Sequence, residues 1–173
     1  EVHSWTSPSG YTGLSSYLLD GGDLLRPINL GNNQPGEFSA GGSMGGFERI
    51  SWDGNQEWFW TYSSDQYRSH HDIEPLPNGN ILIIAWEYKN ASQAEDMGRL
   101  IDNTSSKTIG TASVWPDKVL EIKPVGIDDA EIVWEWSFWD HTIQDTDNTK
   151  DNFGNVSEHP ELIDINFGDL GQD

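Results

Sequence analysis

Apolar residues along the chain fall in short runs, and Gly, Pro, Asn and Asp interrupt them before a helical period can build. That pattern predicts strands over Ser16–Leu19, Leu24–Pro27, Phe47–Trp52, Gln56–Tyr62, Asp72–Leu76, Asn80–Glu87, Lys118–Lys123 and Glu131–Phe138. Turn signals separate them at Asp20-Gly21-Gly22, Asp53-Gly54, Pro77-Asn78-Gly79 and Gly126–Asp129. The segment at 88–116 reads as a polar insert, and 144–173 as an acidic, loop-rich tail. One short helix is expected in "SEHPELIDI", with Ser157 as N-cap and Pro160 in its first turn.

Two hairpin plans repeat. "SYLLDGGDLLRP" and "IEPLPNGNILIIA" share an apolar pair, a glycine turn and an aliphatic run, so Leu24 and Leu25 align with Ile81 and Leu82. "FERISWDGNQEWFWTY" and "VLEIKPVGIDDAEIVWEWSF" share two strands around an Asp/Gly turn, and Trp58 and Trp60 align with Trp134 and Trp136. Four-stranded units recurring every ~40–50 residues with aromatic signatures indicate an all-β fold of the β-propeller type. Closure takes about 4–8 blades, and the chain spells about three. Residues 1–173 are therefore expected to be the N-terminal portion of one propeller domain. The remaining blades would come from a second chain or a missing C-terminal segment. "EVHSW" reads as the end of a strand whose partner precedes it. The four repeated tryptophans are expected to pack between blades.

Composition adds limits. Only 35% of residues are hydrophobic, but 12% are aromatic and nine are Trp, so a core is feasible with few aliphatics. The net charge of −20 repels nucleic acid and anionic membranes. No cysteine is present, which removes disulfides, thiolate metal sites and cysteine nucleophiles. No apolar run approaches membrane-spanning length. Asn90, Asn103 and Asn155 begin glycosylation sequons, which chance produces readily at this composition.

"HHDIEPLPNGNILIIAWE", together with "SYLLDGGDLLR", "GGFERISWDG" and "VLEIKP…EIVWEWSFWDH", resembles the bacterial aryl-sulfate sulfotransferases. The resemblance implies a six-bladed propeller exported to the periplasm or secreted. It implies transfer of a sulfuryl group from a phenolic sulfate ester to a phenol, through a covalent histidine intermediate and without a nucleotide donor. It also implies that His-His-Asp lines the central funnel, while the nucleophilic histidine belongs to a later blade.

Sulfuryl transfer needs a nucleophile, donors around the sulfate oxygens and an acid for the departing phenolate. Histidine suits the first and third roles, and arginine the second. His71 is the first candidate, with His70 expected to point the opposite way along an extended strand and to pack. His141, one repeat later, is the next candidate. Arg68 could pair with sulfate, or be an ordinary exposed loop arginine. Tyr67 could stack on an aryl group, or belong to the core. Asp72 could fix a histidine tautomer, or bond backbone amides. His3 and His159 read as structural or surface residues. Asp145, Asp147 and Asp151 have spacings that calcium could use, but they lack the EF-hand glycine and closing glutamate, and a solvated loop is the alternative. No other cofactor is expected. Two further readings stand beside the sulfotransferase: a non-catalytic propeller that binds a partner, and a propeller enzyme acting on polysaccharide.

Overall fold

The computed structural model describes residues 3–31, 40–100 and 113–167. These divide into two compact units, one of Glu1–Glu87 with Lys118–Trp136 and one of Tyr88–Asp117 with Ser137–Asp173.

The first unit holds two sheets. β1 (Tyr11–Thr12) and β2 (Tyr17–Leu18) both pair with β3 (Leu24–Asn29), which continues to β4 (Gly45–Ile50) and β5 (Gln56–Thr61). The second sheet runs β6 (Tyr67–Pro75), β7 (Ile81–Glu87), β8 (Asp117–Val125) and β9 (Asp129–Ser137), in chain order. Both repeated hairpin plans are thus present. β2–β3 matches β6–β7, and β4–β5 matches β8–β9. The β6–β7 turn works because Gly79 takes φ +86°, a region that side-chain-bearing residues avoid. The fold is mostly antiparallel β, as the apolar pattern predicts.

Leu25, Phe47 and Trp58 from the first sheet pack with Ile73, Ile81, Ile83, Leu120 and Ile122 from the second in one core. The Trp58 indole donates to the Asp129 carbonyl at 2.8 Å, so a large ring is buried without an orphaned N–H. The opposite face of the first sheet is buried too. There Arg26 and Glu48 stand opposite each other on β3 and β4 and form an ion pair at 2.7 Å. Thr12 accepts from the Arg26 guanidinium, and Gln56 donates to the second Glu48 oxygen at 2.9 Å. A buried pair needs this kind of full hydrogen bonding to offset its desolvation. Nearby, His3 stacks on Trp52 with ring centres 3.9 Å apart, in keeping with a structural role.

The second unit gathers the insert and the tail. α1 (Ala91–Asp96) begins in a capping box, in which the Asn90 side chain accepts from the Gln93 amide and Gln93 reaches back. β10 (Thr142–Ile143) pairs in parallel with β11 (Ile163–Asp164). Arg99 donates to the Ile165 carbonyl at 3.1 Å, and Asn152 to that of Met97 at 2.9 Å, tying the two segments together. Gln144, fully buried, accepts from the amides of Thr146 and Asp147 and organises the tail loop.

Two expectations change. The predicted helix after Ser157 is a single 3-10 turn, Val156–Glu158, capped by Asn155. It stops there because Pro160 lacks an N–H and pushes His159 out of helical geometry. β6 starts at Tyr67 rather than Asp72, so the histidines lie inside a strand. Trp134, expected to pack between blades, is 49% exposed. No helix among the described residues is long and apolar enough to cross a membrane.

Candidate functional site

The first half of β6 is held by the strand that leads into β4. The Met44 amide donates to the Ser69 carbonyl at 3.0 Å, the His71 amide to Gly42 at 2.8 Å, and Ser43 bridges to His70. The pairing of β6 with β7 then shifts register between Ser69 and Ile73. His71 sits within this bulge at φ +54°, the left-handed region, and is the only non-glycine among the described residues with positive φ. A β-carbon-bearing residue pays of order 1–3 kcal/mol for that conformation.

The bulge overturns the expected alternation of the two histidines. His70, 5% exposed, lies flat on the Trp86 ring of β7, with centroids 4.0 Å apart and planes at 18°. His71 is exposed, and its ring stands nearly perpendicular to that of His70, at 89°. The two Nδ1 atoms are 2.9 Å apart. On an extended strand they would point to opposite faces; the left-handed residue turns them towards each other. Gly42 makes room for this, because a β-carbon there would collide with the His71 ring.

The other predicted residues are placed as follows. Asp72 accepts from its neighbour's amide, Ile73, at 2.8 Å and from the Tyr17 hydroxyl at 3.0 Å, the backbone-bonding alternative. Partial desolvation pushes its pKa up, but the nearby Ser15 hydroxyl and the hydrogen bonds from the Ile73 amide and Tyr17 outweigh this and hold the carboxyl below its usual value. Burial, then the Asp72 carboxylate, raise the pKa of the Tyr17 phenol.

Arg68 is fully buried and donates to the carbonyls of Gly31 at 2.7 Å and Met44 at 3.1 Å. It is therefore not an exposed loop arginine, and its guanidinium braces the chain next to β6. Tyr67 stacks on Tyr62, centroids 4.2 Å apart, and Tyr62 packs against the core, so Tyr67 belongs to an aromatic stack. Burial, followed by the nearby Tyr67, Glu87 and Glu135, raises the Tyr62 pKa strongly and keeps it a phenol.

His141 lies in the second unit, at the end of the 3-10 turn Phe138–His141. Its Nδ1 is 2.8 Å from the Ser137 carbonyl. A carbonyl only accepts, so Nδ1 carries a proton. Asp147 accepts from the Thr149 amide and hydroxyl. Asp145, Asp147 and Asp151 do not converge into a cation cluster among the described residues.

Sequence reasoning missed the Trp86 platform and the Gly42 cradle. A tryptophan near the end of an aliphatic strand and a glycine pair ahead of another are weak local signals, and both act only across strands. No protein-family model, curated protein or solved structure matches the chain.

Proposed function

We propose that the two sheets are blades of a β-propeller enzyme, exported to the periplasm or secreted, that transfers a sulfuryl group from a phenolic sulfate ester to a phenol. His71 serves as an acid and hydrogen-bond donor at the sulfate ester. A second histidine takes the group covalently: its nitrogen attacks sulfur, the S–O bond to the phenolate breaks, and the acceptor phenol later removes the group. The missing blades supply that nucleophile.

The observation that supports this reading is the strained φ of +54° at His71, which holds an exposed imidazole within the bulge of β6. Unfavourable backbone geometry persists where function requires it. The test is acceptor-dependent release of nitrophenol from p-nitrophenyl sulfate by the complete assembly, beside His71→Ala. Release reduced by roughly 100-fold in the variant supports the acid role. Release unaffected by the substitution sinks it.

The burial of Arg68 favours a second reading, a binding module without chemistry. A guanidinium spent on the carbonyls of Gly31 and Met44 gives no charge to a sulfate pocket. Absence of release from the folded assembly with every phenolic donor decides for that module.

A further inference from the structure

The contact between the two histidines carries more than the placement of His71. A separation of 2.9 Å between two Nδ1 atoms is a hydrogen bond, and it admits one proton, not two. We propose that His70 and His71 act as a single proton-carrying pair, with His71 Nε2 as the atom that gives a proton to the departing phenolate and takes one from the acceptor phenol. This rests on the sulfuryl-transfer reading above, and His70 is a positioning residue in it.

The proton balance closes over one turnover. The charged pair holds three protons: Nε2–H on His70, one proton between the two Nδ1 atoms, and Nε2–H on His71. When the phenolate leaves, His71 gives it the Nε2 proton while the shared proton moves from His70 to His71 Nδ1. His70 is left neutral with its proton on Nε2, and His71 neutral with its proton on Nδ1. When the acceptor phenol attacks the sulfated nucleophile, it delivers its own proton to His71 Nε2, and the shared proton returns towards His70. No other co-reactant is required. A lone exposed histidine could also do acid chemistry. The partner adds a buried site where the positive charge resides, over the face of Trp86, whose ring attracts cations.

Few ionisable groups face the pair. The strand segment facing the pair, Ala40–Met44, carries no ionisable residue. On β6 the flanking charged groups are Arg68, turned to main-chain carbonyls, and Asp72, whose Oδ1 is used by Tyr17 and Ile73. On β7, Glu87 follows Trp86 and lies 3.5 Å from Lys118.

Nitrogen-15 NMR of the histidine rings in the full chain is the first test. One Nδ1 of the pair should carry a proton and the other should not, with a downfield shared proton coupled to the ring nitrogens. Both Nδ1 atoms protonated, or both bare, overturns the proposal whether or not any activity is found. His70→Phe keeps a ring on Trp86 and removes the nitrogen. It should abolish the shared-proton signal while leaving the circular dichroism unchanged. In the transfer assay it should slow phenyl sulfate, a poor leaving group that needs the acid, by at least about tenfold more than p-nitrophenyl sulfate. His70→Asn, which restores a polar group near the Nδ1 position, should recover part of the loss. Equal slowing of both donors, without recovery by Asn, assigns His70 a packing role only and also overturns the proposal. If no donor is turned over by the complete, unaltered assembly, the sulfuryl-transfer reading fails, and the NMR result alone decides whether the pair shares a proton.

Discussion

Trp58 in β5 and Trp134 in β9 hold matching places in the repeated hairpins, yet Trp58 is 1% exposed and Trp134 49%. The contrast extends over both sheets. Most of β3 and β4 is buried, whichever face the side chain takes. Along β7, Ile81, Ile83 and Ala85 are buried, while Leu82, Ile84 and Trp86 between them are only half-buried. The first sheet has the second sheet on one side and the N-terminal segment on the other. The second sheet has a fully packed face on one side only. The same sequence plan thus acquires different energetics from what lies over it.

A second contrast lies inside the cores. Aligning the repeats puts Ile83 and Leu120 of the second sheet where Arg26 and Glu48 stand in the first. One sheet fills those positions with an aliphatic pair in the common core, the other with a hydrogen-bonded ion pair. Hydrophobic burial needs no partner geometry, whereas the ion pair depends on Thr12 and Gln56 for its remaining bonds. The first sheet is the more vulnerable to single polar changes.

Four substitutions sharpen these contrasts. Trp58→Ala should cost about 3–5 kcal/mol, because it opens a cavity in the core, while Trp134→Ala should cost less than about 1 kcal/mol. Urea denaturation of both variants reads the difference, and equal losses would mean that Trp134 is covered. Glu48→Leu alone should cost about 3 kcal/mol by stranding the buried Arg26 charge, while Arg26→Ile with Glu48→Leu should be close to neutral. A double variant as unstable as the single one would show that the first sheet cannot accept the aliphatic pair of the second.

The smallest effect concerns the tie between the sheets, where Tyr17 of β2 bonds Asp72 of β6. The Asp72 pKa is lowered on folding, so its contribution is present above the ordinary carboxylate value and fades as pH falls through the lowered one. Tyr17, with a raised pKa, behaves oppositely: its contribution is complete below the ordinary phenol value and is lost at higher pH. Asp72→Asn should flatten the acid limb of the stability curve slightly and leave the neutral range almost unchanged. An acid limb identical to that of the unaltered protein would remove Asp72 from this role.

The pairing of strands was legible because period-two apolar runs and glycine turns are local signals, and most strand limits fall within two residues of expectation. The start of β6 was not. "YRSHHD" has no apolar alternation, and its strand character comes from pairing with β7 and from hydrogen bonds to the segment before β4. The burial of Arg68 was equally hidden, since the carbonyls it meets come from Gly31 and Met44. The Asn90-x-x-Gln93 cap was readable as a capping box and would have found α1 in the polar insert.

The amino-acid sequence by itself determined the all-β class, the two repeated hairpins, the turns and a pair of histidines with chemical capacity. These depend on side-chain period and backbone preference, which act within a few residues. Tertiary structure alone decided that the insert and tail join in one unit, that Arg68 is buried, that Trp58 is covered and Trp134 is not. It also decided that His70 and His71 face each other. Those outcomes depend on which distant segment arrives at a given face, and a bulge with one left-handed residue is enough to reverse where a ring points.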